Sequence, residues 1–396
     1  MSVQEPIPVD ARALAARIRQ ARESRGLTQD QVAQHLGVAR TTVVAIEKGE
    51  RRVKAEELVE LASLYSRSLS SLLQGGEPVE GPSAQLRGLA APGVGEPDLQ
   101  SSIEEFQALC EDYLQLERMR SAPLEKRYPP QYEVDQIDSS QAAEDAAAEE
   151  RRRLGLGDGS LLNLREVLED AVGLRIFLLK LPSRVAGMYS FTEELGGCIA
   201  LRSDHPPERR RQSLAHEYGH FLTSRFRSEV LEEGRYERKP RLELFAETFG
   251  RAFLMPAAGV RRQFLALKRQ RKGSTTRSDL CRLAYSFDVS VEAMVRRLEE
   301  LQLVPAGLGE RLRIEGFKAR EAMQILGLSH SSRHDEMLPA RFRTLAVESW
   351  QEGDLTEGQL ARVLRVNRLQ AREIIQAVTA LDQQQQAAAA FGAPLR

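Results

Sequence analysis

A glutamate between two histidines that stand four residues apart is the feature of this sequence that most constrains its fold. The segment is His216-Glu217-Tyr218-Gly219-His220. Residues four apart lie on one side of an α-helix, so the two imidazoles can share a tetrahedral cation only if this segment is helical. Leu214, Tyr218, Phe221 and Leu222 continue the helical spacing and are expected to bury the opposite side. We therefore predict a helix with a metal site on one face.

The residue types of this motif are those of a zinc-dependent hydrolase. A catalytic zinc keeps three protein ligands and one open position, and neutral imidazole is a common ligand. In a His-Glu-x-x-His helix the glutamate is not a ligand, because it takes the proton of the attacking water and later donates a proton to the leaving amine. We assign His216 and His220 as ligands and Glu217 as the general base.

Two glutamates downstream are candidates for the third ligand. Glu243 and Glu247 are four residues apart, and they share one face of a predicted helix that ends at Pro256. We predict that Glu243 binds the metal and that Glu247 orients a ligating histidine, and the reverse assignment stays open. Without the histidine pair upstream, a solvated helix face would be the preferred interpretation of both carboxylates.

Residues 11–74 are predicted to form a group of short helices that binds DNA. One helix begins after Thr28 and ends at Gly37, and a second ends at Gly49, which is the layout of a helix-turn-helix. From Ala11 to Lys54 there are ten Lys or Arg residues against four Asp or Glu residues, a balance that favours contact with phosphates. The alternative is a small helical bundle that binds protein and exposes its arginines to solvent.

Two sets of residues in this module are predicted to contact a DNA duplex. Side chains at the start of the second helix are placed to reach base edges in the major groove, and they are Arg40, Thr41, Thr42 and Val44. A second set suits phosphate contacts and comprises Gln29, Lys48, Arg51, Arg52 and Lys54. The helices are expected to share a core of Val32, Leu36, Val38, Val43 and Ile46.

The middle of the chain changes from linker composition to mixed helix and strand periodicity. Residues 75–100 are rich in Gly, Pro and Ala and are predicted to be a flexible linker, followed by a helical connector over 101–140. Residues 141–305 are predicted to be an α+β domain with a small, mostly antiparallel sheet. The strand candidates of this domain are residues 174–181, 185–191 and 198–201.

The C-terminal part of the chain is predicted to be helical over residues 306–382. Within it, a helix start at Gly353–Ala361 and a short helix after Val366-Asn367 imitate a second helix-turn-helix, although balanced charges favour packing or protein contact there. Residues 383–396 contain a Gln/Ala run and are predicted to be disordered. The fold class is thus multidomain and mainly α, with one α+β domain in the centre.

Several classes of protein are excluded by what the sequence lacks. Cys110, Cys198 and Cys281 show no paired spacing, which argues against a disulfide framework and a cysteine zinc site. The sequence has no apolar run of about eighteen residues and no secretory signal pattern at its start. We therefore expect a cytoplasmic protein that has no membrane partner.

The N-terminal module resembles a known family of DNA-binding domains. Residues 26–52 are similar to the XRE (Cro/repressor-like) helix-turn-helix family in Leu27-Thr28-Gln29, Leu36-Gly37-Val38 and Ile46-Glu47-Lys48-Gly49. The resemblance implies binding to a palindromic double-stranded DNA operator as a homodimer.

The metal motif and its flanks resemble a family of peptidases. Gln212–Phe221, Glu243–Phe249 and Leu254-Met255-Pro256 are similar to the ImmA/IrrE family of gluzincin-type metallopeptidases, and the likeness spans residues 141–305. It implies a zincin-like fold with one zinc per chain, held by the two histidines and Glu243. Where the family usually has Asn or Asp, this sequence has Glu247, a residue that can orient a ligand imidazole or compete for the metal.

Three hypotheses of function follow. The first is a zinc endopeptidase coupled to a sequence-specific DNA-binding domain, which regulates transcription in a stress response by cleaving a repressor-type protein, the usual theme of the family. The second is a DNA-binding regulator whose metal domain senses a signal without proteolysis. The third is an antitoxin-like regulator. The intact Glu217 favours the first hypothesis, because sensing needs no general base.

Overall fold

The structure, a computed structural model, consists of two compact units, Met1–Glu80 and Gly81–Arg396. It describes residues 11–24, 27–65, 72, 97–132, 139–226, 229–232, 241–271, 273, 275–328 and 336–391. Most of the predicted linker, residues 75–100, lies outside these ranges. The finer division of the second unit into connector, peptidase and C-terminal segments stays a prediction. Among the described helices, none combines the length and the apolar character that a bilayer crossing requires.

The described residues of the first unit include the helices α1 (Ala11–Ser24), α2 (Gln29–His35), α3 (Arg40–Glu47) and α4 (Ala55–Leu64). The start of α2 is fixed by a capping box, in which the Thr28 hydroxyl accepts from the Gln31 backbone at 3.2 Å while the Gln31 side chain accepts from the Thr28 backbone at 2.8 Å. The predicted core is present, with Val32, Val43 and Ile46 buried and two further residues, Leu36 and Val38, packed against them.

A buried ion pair joins α1 to α3. The Arg22 guanidinium donates two hydrogen bonds to the Glu47 carboxylate, at 2.6 and 3.0 Å, and a third to the Leu27 carbonyl at 2.9 Å. Hydrogen bonding to Glu47 is the main reason why the pKa of Arg22 is raised. Because both charges are paired, this bidentate contact fixes α3 against the rest of the unit.

The first described elements of the second unit are two long helices, one short helix and a sheet. The long helices are α5 (Pro97–Met119) and α6 (Ser139–Arg153). The short helix α7 (Leu164–Val167) continues into a π-helical turn at Leu168–Val172. The strands are β1 (Arg175–Leu179), β2 (Val185–Thr192), β3 (Gly196–Arg202) and β4 (Glu229–Glu232).

The sheet has the strand order β1-β3-β2-β4. The β1–β3 pairing is parallel, whereas β2 is antiparallel to both β3 and β4. The prediction of a small, mostly antiparallel sheet in an α+β domain is therefore confirmed, and β4 is an additional strand. On the outer edge of β1, the Leu178 amide donates to the Met337 carbonyl at 2.9 Å.

The core of the second unit lies between this sheet and the helices that follow it. Those helices are α8 (Pro207–Ser224), α9 (Arg241–Leu254), α10 (Ala257–Gln270), α11 (Arg277–Phe287) and α12 (Val291–Glu300). Aromatic side chains fill the region where α8 and α9 pack together. Tyr218 and Phe221 of α8 and Phe245, Phe249 and Phe253 of α9 are each at most 1% exposed.

Five more helices follow in the described part of the chain: α13 (Leu308–Ile314), α14 (Ala319–Ile325), α15 (Ala340–Gln351), α16 (Glu357–Val363) and α17 (Arg368–Phe391). Helix α17 includes residues 383–391, for which we predict disorder. This difference has a physical reason, because Ala and Gln have high helix propensities and prolong a helix that has already started. Residues 392–396 lie outside the described part of the chain.

Candidate metal centre

Helix α8 carries both predicted histidine ligands. It begins with Pro207 at its first position, where the missing N–H of proline costs no helix hydrogen bond. One turn separates His216 from His220, and their Nε2 atoms are 3.0 Å apart. Both side chains are buried, with 7% and 3% exposure, so they stand in a protected site.

Glu243, in the first turn of α9, completes a set of three converging donors. Its Oε1 atom is 3.1 Å from the His220 Nε2 atom and its Oε2 atom is 3.4 Å from the His216 Nε2 atom. Donors about 2.0–2.1 Å from a tetrahedral zinc lie about 3.3 Å from one another, so these separations fit one zinc ion. Hydrogen bonding to His216, and then to His220, holds the pKa of Glu243 well below its usual range.

Among the described residues, His216, His220 and Glu243 are the only group of three or more His, Cys, Asp or Glu side chains arranged to hold a metal ion. The structure therefore brings together the three side chains that the sequence predicts as ligands. The other predicted carboxylate, Glu247, has its Oε2 atom 3.6 Å from Arg251 and 3.9 Å from Arg296. These arginines were not foreseen from the sequence.

Two glycines allow α8 and α9 to approach closely enough for this set to form. A Cβ atom at Gly219 would lie 2.8 Å from the Cα of Ala246, which is closer than real Cβ contacts. From the other side, a Cβ at Gly250 would lie 3.2 Å from the backbone nitrogen of His216. The absence of side chains at both positions thus places the first turn of α9 beside the histidines.

Glu217 lies in the interior, next to strand β2. Glu217 is only 1% exposed. A Cβ added at Gly187 of β2 would be 3.6 Å from the Glu217 Oε1 atom and 3.1 Å from the carbonyl oxygen of Ala200. The glycine therefore leaves room beside the carboxylate that a larger residue would fill.

A buried polar network supports α8 from behind. The Tyr218 hydroxyl donates to the Glu150 carboxylate of α6 at 2.6 Å, and Arg153 donates to the same carboxylate at 2.8 Å and to the Tyr218 hydroxyl at 3.2 Å. Glu150 is completely buried. The sequence does not reveal this network, since Tyr218 is predicted only as a core residue and Glu150 lies in a charged helix.

The predicted DNA-contacting residues lie on α2, α3 and the turn that follows. Arg40 and Thr41 are exposed at the start of α3, Thr42 and Val44 are half-buried, and Lys48 and Arg52 are exposed. Two other residues form bonds inside the domain. The Gln29 amide donates to Glu47 at 2.9 Å, and Arg51 donates to Glu57 at 2.8 and 3.0 Å.

The chain is similar to two protein families and to several solved structures. Residues 169–299 match the IrrE N-terminal-like domain of the M78 peptidases, and residues 18–72 match a helix-turn-helix. No curated protein matches the sequence. ComR from Streptococcus suis is 11% identical over 94% of this chain and 95% of its own, with a TM-score of 0.15. The apo forms of ComR from S. thermophilus and Streptococcus vestibularis are 12% and 13% identical over 87% of this chain and 100% and 99% of theirs, with TM-scores of 0.16. At such TM-scores the likeness carries no argument about this chain.

The two family matches agree with the two resemblances found in the sequence. Each match falls on one of the segments described above, the first on the sheet and the metal centre and the second on helices α1 to α4. The chain therefore joins an XRE-type helix-turn-helix domain to an IrrE/ImmA-like domain of the M78 peptidase family.

Proposed function

We propose that this protein is a zinc endopeptidase that regulates transcription in a stress response by cleaving a repressor-type protein. One observation carries the proposal: the donor atoms of His216, His220 and Glu243 lie 3.0–3.4 Å from one another, beside the buried Glu217. Three protein donors leave a fourth tetrahedral position for substrate or water, as in catalytic rather than structural zinc sites.

His216, His220 and Glu243 hold one zinc ion per chain in this proposal. When bound, zinc supplies a Lewis acid that polarises the scissile carbonyl and acidifies water. Glu247 orients a ligating histidine, and its position near Arg251 and Arg296 keeps its charge compensated. The close packing of α8 and α9 holds the donors in place before the metal binds, which lowers the ordering cost of binding.

Glu217 acts as the general base. Its carboxylate accepts the proton of the attacking water and then delivers a proton to the nitrogen of the leaving amine, so one group serves both halves of the reaction. Burial next to β2 restricts its movement and excludes bulk water. The space beside Gly187 allows the carboxylate only the short shift between the two proton positions.

The helix-turn-helix domain binds a double-stranded operator in this proposal. The residues that face base edges are Arg40, Thr41, Thr42 and Val44. Phosphates are contacted by Lys48 and Arg52. Gln29 and Arg51 also contact phosphates, through the N–H groups that are not bonded to Glu47 and Glu57. The exposed position of Arg40 and Thr41 at the start of α3 supports this role. We propose that the protein acts in the cytoplasm and binds a palindromic site as a homodimer.

The test replaces Glu217 by Gln. Zinc content, measured by mass spectrometry of the purified full chain, is expected to stay near one ion per chain. The rate of cleavage of repressors encoded beside the gene is expected to fall by about 10²-fold or more. Glu208→Gln, the same change at the start of α8, serves as the matched control and keeps full activity. Undiminished cleavage by the Glu217→Gln variant would overturn the peptidase mechanism. A zinc-loaded wild type that binds its operator but cuts none of these repressors would favour the sensing regulator.

A further inference from the structure

The C-terminal helices α15 to α17 contain a second copy of the helix-turn-helix pattern. Residues 355–374 and residues 27–46 are identical at eight of twenty positions. The shared residues, by their C-terminal numbers, are Leu355, Thr356, Gln359, Ala361, Leu364, Val366, Arg368 and Ile374. The repeat includes both the apolar positions that form the core of the first module and the arginine that opens its third helix.

The backbone of the two segments is also the same in its details. The Thr356 hydroxyl accepts from the Gln359 backbone at 3.3 Å and the Gln359 side chain accepts from the Thr356 backbone at 2.8 Å, as in the capping box of α2. The turn that follows places Arg365 at a φ of 57°, where the first module has Gly37 at 64°. A left-handed conformation at a residue with a side chain is costly, so the tertiary structure imposes this turn.

The core positions of the repeat are buried as in the first module. Leu360, Ala361, Leu364 and Ala371 are each at most 6% exposed. They correspond in order to Val32, Ala33, Leu36 and Val43, of which all but Leu36 are fully buried. The segment is therefore a complete helix-turn-helix, with α15 in the place of α1.

The face that remains exposed has the composition of a groove-reading surface. Arg368, Leu369, Gln370 and Arg372 of α17 are exposed, and they occupy the positions that Arg40, Thr41, Thr42 and Val44 hold in α3. Arg and Gln make bidentate contacts with guanine and adenine, respectively, and leucine can contact a thymine methyl group. This face therefore offers both base-reading and apolar contacts.

Several acidic residues of this region pair with arginines, while two other arginines have no such pair among the described residues. Three acidic residues, Glu348, Glu352 and Asp354, lie 3.8–3.9 Å from Arg120, which directly follows α5. Glu357 is paired with Arg372 at 3.0 Å. In contrast, the structure shows no ion pair for the side chains of Arg362 and Arg368 with any described residue. The balanced charge of the sequence thus conceals a separation of charge in space.

We infer that helices α15 to α17 form a second DNA-binding module, which places the start of α17 in the major groove of a duplex. Arg368 and Gln370 read base edges and Arg362 contacts a phosphate. Binding of DNA by this module does not depend on the proposed peptidase activity. A protein partner is the competing occupant, and the experiment below separates the two.

The first arm measures binding of the full chain to a mixed-sequence duplex of about 30 base pairs, by fluorescence anisotropy at several potassium chloride concentrations. The triple variant Arg40→Ala/Lys48→Ala/Arg52→Ala removes contacts of the first module and is expected to retain binding. Adding Arg362→Ala/Arg368→Ala is expected to weaken binding and to lower the magnitude of the slope of log K against log salt by about 0.9, because Arg362 makes one phosphate contact. The matched control adds Arg311→Ala/Arg320→Ala, which removes the same charge from exposed positions on α13 and α14.

The second arm identifies the occupant directly. A photo-crosslinking residue, benzoylphenylalanine, replaces Leu369, whose side chain is 67% exposed, so the substitution is compatible with folding. Crosslinking to the labelled duplex is the expected result. Crosslinking only to a second copy of the chain would overturn the inference in favour of a protein interface. Loss of all binding in the triple variant, or equal slopes for the arginine variant and its control, would overturn it as well.

Discussion

Gly219 of α8 and Ala246 of α9 are in such close contact that a Cβ at residue 219 would lie 2.8 Å from the Cα of Ala246. The variant Gly219→Ala is therefore expected to force the two helices apart. We expect a loss of about 1–3 kcal/mol in the free energy of unfolding, as for other overpacked sites. Zinc affinity is expected to fall as well, because Glu243 moves away from the histidines. Urea unfolding and zinc titration of the full chain measure the two effects.

Gly309→Ala is the control for that variant. A Cβ at Gly309 of α13 would meet Val295 at an ordinary contact distance of 3.5 Å. Alanine is also the better helix former by up to about 1 kcal/mol. The control is therefore expected to leave zinc binding unchanged and to unfold at the same or a higher urea concentration. Equal zinc affinity in both variants would show that the close approach does not position the donors.

The assignment of the third ligand predicts different effects for the two glutamates of α9. Glu243→Gln is expected to weaken zinc binding by more than about 100-fold, since it removes a charged donor. Glu247→Gln is expected to weaken it by about 10–100-fold, the range typical of groups that orient ligands. Competition with a fluorescent zinc chelator measures both affinities. If Glu247→Gln has the larger effect, Glu247 is the ligand and Glu243 the orienting group.

Tyr218→Phe tests the network behind the metal helix. The substitution removes the hydrogen bond of 2.6 Å to the buried Glu150 carboxylate, and we expect a loss of about 1–3 kcal/mol in the free energy of unfolding. Trp350, the sole tryptophan of the chain, provides a fluorescence signal for the second unit. Tyr132→Phe is the control, because the Tyr132 hydroxyl makes no hydrogen bond to a described residue. A Tyr218→Phe variant as stable as this control would contradict the prediction.

Glu169 is predicted to make the second unit less stable as the pH rises. Burial, opposed by Arg165, raises the pKa of Glu169 to about 7 from its ordinary value of 4.5. A carboxyl group whose pKa is higher in the folded state binds its proton more tightly there than in the unfolded state. Its contribution to the free energy of unfolding is therefore fully present below pH 4.5 and is lost as the pH rises to 7. Between these values the slope approaches about 1.4 kcal/mol per pH unit.

The variant Glu169→Gln is expected to lack this part of the pH dependence. Urea unfolding monitored at Trp350, at about pH 5 and pH 8, gives the difference between the variant and the wild type, in which all other groups cancel. Glu149→Gln, at an exposed position, is the control and keeps the wild-type slope. Identical slopes for Glu169→Gln and the wild type would exclude the assignment.

In the first unit, Glu47→Ala is expected to loosen α3. Its loss leaves the Arg22 guanidinium buried without its partner carboxylate, a change that typically costs about 3–5 kcal/mol. Hydrogen exchange of the peptide that covers α3, measured by mass spectrometry, reports the local opening. Glu50→Ala, an exposed glutamate just beyond α3, is the control. Unchanged exchange rates in Glu47→Ala would refute a structural role of the pair.

Features that depend on neighbouring residues could be predicted from the sequence. The spacing of His216 and His220 requires a helix and a shared ligand, and the Thr28 cap and Gly37 turn are local signals of the first module. The strands β1 to β3 follow from apolar runs between turn residues. β4 was missed, because a strand of four residues that begins and ends with glutamate has no such pattern.

Features that depend on distant residues could not be predicted in the same way. Charged residues are usually exposed, so nothing in the sequence marks Glu47 or Glu150 as buried. Their partners come from other helices, and only the tertiary structure selects them. The same holds for the cysteines: Cys110 and Cys198 lack paired spacing, yet hydrogen bonding to Cys110 lowers the pKa of Cys198.

The hydrogen bond from Leu178 to Met337 links the outer edge of β1 to the segment that leads into the C-terminal helices. Because a chain is synthesised from its N-terminus, Leu178 leaves the ribosome well before Met337 does. During that interval the edge of β1 is open, and open strand edges recruit other strands. A chain that stopped at residue 305, after the IrrE-like domain, would keep this edge open permanently. The segment that leads into the C-terminal helices therefore covers this edge only after residue 337 has been synthesised.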